Sequence, residues 1–140
     1  MKLSSKGRYA VMALADLAKF DPNEPVSLRD ISLRQGISLV YLEQLFLKLK
    51  KNKIVSSVRG KKGGYILSKN ASEINISEVF SAVEEKVKTV GCVKHSKKGC
   101  NGKSAKCITH NLWDELEDYI NSFFTRKKLS DLINQKENRI

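Results

Sequence analysis

Apolar residues recur along this chain with a period that switches between helix and strand, and each switch marks an element. Ala10, Ala13, Leu14, Leu17 and Ala18 fall at i, i+3, i+4, i+7 and i+8, one stripe of an amphipathic helix, with Arg8, Asp16 and Lys19 off it. Asp21-Pro22-Asn23-Glu24-Pro25 ends that helix as a loop. Ser27, with Asp30 at the capping-box position, opens a short second helix to about Arg34, and Gly36 makes the turn. Ser38 caps a third helix whose buried face is Leu42, Leu45, Phe46 and Leu49. The pattern then becomes strand-like: Ile54-Val55-Ser56-Ser57-Val58 and Tyr65-Ile66-Leu67 flank Arg59-Gly60-Lys61-Lys62-Gly63-Gly64. From Asn70 the helical period returns, with Ser77 as the cap of a helix over residues 78–85 that turns Val79, Phe80 and Val83 inward. Residues 87–106 show no periodicity and read as a loop. A long helix follows over residues 109–124, with Leu112, Leu116, Tyr119, Ile120 and Phe123 in one stripe and Trp113 and Phe124 beside it. Ser130 caps a last short turn through Ile133, residues 134–140 read as a frayed tail, and there is no internal repeat.

A short helix, a glycine turn and a longer helix make a helix-turn-helix, although two short helices around a glycine also occur in ordinary bundles. The hairpin sharpens the reading. Three cations, three glycines and no acid at its tip suit a backbone that approaches phosphates or a minor groove. The bland alternative is a solvated basic hairpin. The fold class expected is therefore mainly α with a small β-hairpin wing: a winged helix-turn-helix plus a long helix. The apolar surface of residues 109–124 is wider than one small core needs, which predicts a two-fold homodimer. Residues 1–70 read as the DNA-binding region. Residues 71–140 carry a ligand loop at about 87–108 and the dimerisation helix at about 109–124, in one continuous structural unit.

Charge narrows the partner. The 140 residues carry a formal net charge of +11, which asks for a polyanion, nucleic acid first and a membrane surface second. No apolar run approaches the ~20 residues of a spanning helix. The first twenty residues are interrupted by Arg8 and Asp16 and have no small-residue cleavage site, so they do not read as a signal peptide. The expectation is a cytoplasmic protein with no membrane partner.

All three cysteines, Cys92, Cys100 and Cys107, lie within sixteen residues, and His110, one of two histidines, follows three positions after the last. Three thiolates and an imidazole form a four-ligand set for zinc or an iron–sulfur cluster. A zinc ribbon would show tight two-residue cysteine pairs. Here seven and six residues intervene, which fits a loop wrapping a larger object. Cys107 and His110, three apart across the start of a helix, can face one side. Lys94, Lys97, Lys98, Lys103 and Lys106 would lower the thiol pKa values. A ligating histidine must be neutral, so the site is expected to be acid-labile. His95 is a rival fourth ligand, and each cysteine could instead be a small buried hydrophobe. A Cys–His hydrolase would need an orienting acid or amide and an oxyanion hole, and nothing marks them.

On the third helix, which starts at Ser38, the residues Val40, Tyr41, Glu43 and Gln44 occupy the face opposite the core stripe. Gln44 can read adenine bidentately, and Glu43 can accept from cytosine N4, unless it is a plain surface acid. Arg59 suits a narrow minor groove, with Gly60, Lys61 and Lys62 against the backbone.

These residue choices resemble a known family. Leu3-Ser4-Ser5-Lys6-Gly7-Arg8-Tyr9-Ala10-Val11 is similar to the opening of the IscR-type iron–sulfur cluster regulators. So are Asp30-Ile31-Ser32, Arg34-Gln35-Gly36-Ile37-Ser38-Leu39, Tyr41-Leu42-Glu43-Gln44-Leu45-Phe46, Val55-Ser56-Ser57-Val58-Arg59-Gly60 and Gly63-Gly64-Tyr65. The similarity spans essentially the whole chain and is densest over residues 1–67. It implies a bacterial homodimeric transcription factor, activator or repressor, that binds a palindromic operator in double-stranded DNA. It further implies a [2Fe-2S] cluster held by the three cysteines and His110, supplied by the cluster assembly machinery, and control of the assembly genes. Three departures stand out: the segments 93–99 and 101–106 are slightly longer than the resemblance leads one to expect, the chain stops soon after the last helix where relatives often carry an extended tail, and Val40 replaces a more typical polar residue. A zinc or thiol-redox sensor on the same fold, and a structural RNA- or nucleoid-binding protein with an incidental metal, are the alternatives.

Overall fold

The structure is a computed structural model and describes residues 3–87 and 108–134. Helix α1 spans Ser5–Ala18, α2 Leu28–Gln35 and α3 Leu39–Lys51. Strands β1 (Val55–Val58) and β2 (Gly64–Leu67) follow, then a turn of 3-10 helix at Ala71–Glu73. Helices α4 (Ile76–Ala82), α5 (His110–Arg126) and α6 (Leu129–Ile133) complete the chain. This is the expected class, a mainly helical winged helix-turn-helix followed by a long helix.

Helix α1 is the hub. Its stripe buries Ala10, Ala13 and Leu14 completely, and it packs against α2, α3, α4 and α6. The small alanines let neighbouring helices approach closely. The α2–α3 turn follows from local chemistry. Ser27 Oγ accepts from Asp30 N at 3.1 Å, Gly36 ends α2 with φ 66°, and Ser38 caps α3. A left-handed residue at that position is the usual helix stop, and glycine adopts it without a Cβ penalty. Leu42, Leu45, Phe46 and Leu49 of α3 are all essentially inaccessible, as the period requires. Each such side chain contributes roughly 1.5–3 kcal/mol by burial.

The hairpin pairs Val55 with Leu67, Ser56 with Ile66, Ser57 with Tyr65 and Val58 with Gly64, antiparallel. Val26 adds a bridge on the free edge of β2, with Val26 N donating to Tyr65 O at 3.0 Å and Tyr65 N to Val26 O at 2.8 Å. A Cβ on Gly64 would collide with the Val26 carbonyl, so this close approach needs glycine. The edge contact roots the wing on the loop just ahead of α2.

Four expectations are corrected. Helix α4 is capped by Asn75, not Ser77: Glu78 N donates to Asn75 Oδ1 at 2.8 Å and Asn75 N donates back to Glu78 Oε1 at 3.0 Å. It stops at Ala82 rather than Glu85, because Glu84 takes φ 61° and turns the chain. Helix α6 starts at Leu129 instead of being capped by Ser130, with Lys128 N donating to Asp131 Oδ2 at 2.9 Å. Leu129 itself is completely buried, and its N–H bonds to Ile74 O at 2.8 Å. Val79, Phe80 and Val83 face inward as expected.

The fourth correction concerns Asp16, which the helical period leaves off the apolar stripe. It is 4% exposed. Arg34 Nη2 donates to Asp16 Oδ1 at 2.7 Å, Arg34 Nε to Oδ2 at 3.1 Å, and Gln35 Nε2 to Oδ2 at 2.7 Å. The fork-on-carboxylate geometry ties the second half of α1 to the end of α2. The Arg34 guanidinium also lies 4.7 Å from the Phe20 ring centroid. Burial alone would push the Asp16 carboxyl up. The hydrogen bonds from Arg34 and Gln35 and the Arg34 charge outweigh it, so the group titrates below its ordinary 3.8. A depressed folded-state pKa contributes stability that is complete above the unfolded value and is lost as pH falls through the folded one. We therefore expect stability to drop as pH falls below about 4 and Asp16→Asn to flatten that acid limb. Arg34→Ala, which strands a buried carboxylate, should cost about 2–4 kcal/mol, more than Asp16→Ala, by urea denaturation at pH 7. Equal costs for the two substitutions would contradict this account.

Candidate nucleic-acid interface and ligand segment

With one face of α3 buried, its other face is determined. Val40 and Leu47 are each 64% exposed, and Glu43 and Gln44 are exposed between them. Ser38, at the cap, accepts from Tyr41 N at 3.4 Å. Tyr41 differs from expectation. It is half-buried at the flank of the helix, its hydroxyl 2.9 Å from Ser5 Oγ and its ring edge-on to Tyr9 at 5.9 Å. It joins the start of α3 to the start of α1. Lys48, Lys50 and Lys51 fill the last turn of α3, where cations complement the helix dipole.

The wing tip carries Arg59, Gly60, Lys61 and Lys62, all exposed. Gly60 has φ 127°, a conformation that side chains disfavour, and Gly63 N closes the turn on Gly60 O at 2.9 Å. Glycine here lets the backbone turn, and among the described residues none of the three cations forms an ion pair. Positive charge thus gathers at the end of α3 and at the tip of the wing.

Cys92, Cys100, Cys107 and His95 lie outside the described residues. Among the described residues no group of three or more histidine, cysteine, aspartate or glutamate side chains could hold a metal ion. His110 is the first residue of α5 and is 4% exposed, with Nε2 3.3 Å from Asp114 Oδ2 one turn along. The Asp114 carboxylate therefore lies beside the His110 ring, one turn along the same helix. Three thiols and this imidazole fit a thiophilic centre on donor chemistry.

The residues just ahead of this segment were not anticipated, and they are well tied. Ser4 Oγ donates to Glu85 Oε1 at 2.7 Å, and Gly7 N donates to the same oxygen at 3.3 Å. A Cβ on Gly7 would lie 2.7 Å from Glu85 Cγ, so glycine makes room for the carboxylate at the first turn of α1. Lys6 Nζ donates to Glu84 O at 3.3 Å, and Lys48 Nζ to Glu84 Oε2 at 3.1 Å. The hydrogen bond and charge of Lys48 hold the Glu84 carboxyl below its ordinary range. The chain entering the ligand segment is thus bonded to both α1 and the reading helix. Nothing in the sequence flags these pairs, which are separated by 36 to 81 positions. Leu47, also missed, was recoverable, because the period that buries Leu42 and Leu49 turns it outward.

Helix α5 buries His110 and Glu117, while Leu112, Leu116, Tyr119 and Phe123 are 40–66% exposed. Its attachment to the rest runs through Phe124, edge-on to Phe80 of α4 at 4.8 Å. The anticipated apolar stripe therefore faces outward along the helix. No helix among the described residues is long and apolar enough to cross a membrane.

Comparison with known proteins agrees with this geometry. Residues 3–135 match the Rrf2 family, described as an iron-dependent transcriptional regulator. The HTH-type transcriptional regulator IscR of Photorhabdus laumondii is 52% identical over 137 residues, 98% of this chain and 82% of that protein. The IscR of an Escherichia coli strain is 53% identical, covering 98% and 83%. Among solved structures, T. potens IscR superposes with TM-score 0.77 at 32% identity, covering 100% of this chain and 92% of that one. CymR of B. subtilis, titled the global cysteine regulator, gives TM-score 0.81 at 27% identity, covering 98% and 99%. The chain belongs to the Rrf2 family of transcriptional regulators, as an IscR-type member, and is a DNA-binding protein rather than an enzyme.

Proposed function

We propose that this regulator senses a [2Fe-2S] cluster held by Cys92, Cys100, Cys107 and His110, and so matches expression of cluster assembly genes to cluster supply. The assembly machinery is the donor. The observation that carries this reading is the joint at Glu84 and Glu85, where the segment leading to the cysteines is bonded to the start of α1 and to Lys48 of α3. A sensor needs its sensing segment in contact with its reading element. When bound, the cluster supplies a redox-responsive anionic centre whose potential is raised by the histidine. His110, buried at the start of α5 with Asp114 beside it, would supply one ligand. Occupancy of the ligand segment then biases the Glu84–Glu85 joint and the setting of the two reading heads across the dimer.

The DNA-binding half and the α5 half act as one structural unit, supported by α6 packing back on α1. A second copy covers Leu112, Leu116, Tyr119 and Phe123, making a two-fold dimer whose α3 helices enter successive major grooves of a palindromic operator. Ser38, Val40, Glu43 and Gln44 face the bases and backbone there, Tyr41 sets the helix start, and Arg59, Gly60, Lys61 and Lys62 track the neighbouring minor groove and its phosphates. Zinc on the same four residues is the competing reading, and absorbance separates them.

Protein purified without oxygen should be red-brown. Alanine at any one of the three cysteines should remove most of the visible absorbance, His110→Ala should weaken it and His95→Ala should leave it intact. A colourless protein with stoichiometric zinc would overturn the cluster assignment. On DNA, sedimentation should give a dimer at micromolar concentration, and log K should fall by about 0.9 per phosphate contact per decade of salt. Arg59→Ala should cost about 1–3 kcal/mol. Glu43→Ala should relax discrimination, so that the cluster-free protein gains affinity for duplexes it otherwise rejects. Equal weakening on every duplex in both states would make Glu43 a merely structural residue.

A further inference from the structure

The reading face of α3 carries two large apolar side chains where a solvent-facing helix has no use for them. The buried residues Leu42, Leu45, Phe46 and Leu49 define the inner side. Directly opposite lie Val40, Gln44, Leu47 and Lys51, at i, i+4, i+7 and i+11, one line along the crest. Val40 and Leu47 expose 64% of their surface and belong to no part of the core. They flank Gln44 on either side. The surroundings name the occupant. Lys48, Lys50 and Lys51 end the same helix, and Arg59, Lys61 and Lys62 stand on the wing, so this apolar line is set in a polyanion-binding surface.

Within a major groove, the base edges offer donors, acceptors and one apolar group, the thymine 5-methyl. Valine and leucine have no donor or acceptor, so the methyl is the feature they can select. Seven residues of helix cover about 10.5 Å. At 3.4 Å per base along a strand, that is about three base steps. Resting on the reading that α3 lies in the major groove, we propose that Val40 and Leu47 recognise thymine methyl groups on either side of the base pair read by Gln44. Specificity at those steps comes from apolar contact rather than hydrogen bonding. A preference for A·T-rich half-sites follows, with thymine on the strand facing each side chain.

The test uses duplexes selected from a randomised library by the wild-type dimer. Copies are made in which individual thymines are replaced by deoxyuridine, which removes the methyl and leaves every hydrogen-bonding group in place. The wild type should bind the relevant uracil copies about threefold to tenfold more weakly, the worth of roughly one methyl-sized apolar contact. Val40→Ser/Leu47→Ser, a change confined to exposed side chains, should bind thymine and uracil copies alike. Equal binding of both copies by the wild type, or a uracil penalty that persists in the double variant, would overturn the proposal. In either case, a duplex still selected and lost on Arg59→Ala leaves DNA reading by this surface intact. A library that yields no enriched duplex would instead overturn the α3 reading itself, and this proposal with it.

Discussion

The position of α3 depends on one buried face, and the other functional surfaces are set relative to it. Leu42, Leu45, Phe46 and Leu49 leave the helix no freedom to roll about its axis, since any rotation would expose one of them and bury Glu43 or Gln44. Exposing one of the four costs about 1.5–3 kcal/mol, and burying the Glu43 carboxylate without a partner costs more. The Asp16 carboxylate adds a second constraint of a different kind. By gripping Arg34 and Gln35 it fixes the end of α2, and Gly36 then converts that fixed end into a fixed turn. Apolar burial sets the roll of the reading helix, and a charge-assisted bond sets the turn that leads into it.

The joint with the ligand segment is built from weaker material. Lys48–Glu84 is largely exposed, and exposed pairs of this sort contribute little to stability. A low-energy contact is suited to a switch, since a bound group can shift it by a modest differential affinity. The Glu85 carboxylate is held better, by Ser4 Oγ and the Gly7 amide at the start of α1, where a negative charge also complements the helix dipole. Tyr41, bonded to Ser5, brings the start of α3 to the same corner. Helices α1 and α3 therefore meet where the chain leaves for the cysteines.

Much of the fold could be read from periodicity and local caps. The inner face of α3, the Gly36 turn and the wing follow from residues within a few positions of one another, where sequence pattern and structure coincide. The failures share a cause. Asp16 reads as a surface acid because its partners are 18 and 19 positions away, and Glu84 and Glu85 read as the end of a helix because their partners sit 36 to 81 positions away. Ser77 and Asn75 are both competent caps for α4, and the tertiary bond from Ile76 N to Lys127 O favours the earlier start. His110 at the start of α5 was legible from its spacing to Cys107. Its neighbour Asp114 was not singled out, although it lies one turn on at i+4, the spacing that helical geometry puts side by side.

We propose that occupancy of the ligand segment is felt at α3 through Glu84 and Glu85. An anaerobic titration of one selected duplex with cluster-loaded and cluster-free protein, for wild type and Glu85→Ala, tests it most directly. Wild type should show an affinity ratio between the two states within the roughly 5- to 150-fold range usual for coupled sites. In Glu85→Ala that ratio should move toward one while the visible spectrum of the loaded protein stays unchanged. An undiminished ratio in the variant would contradict the account.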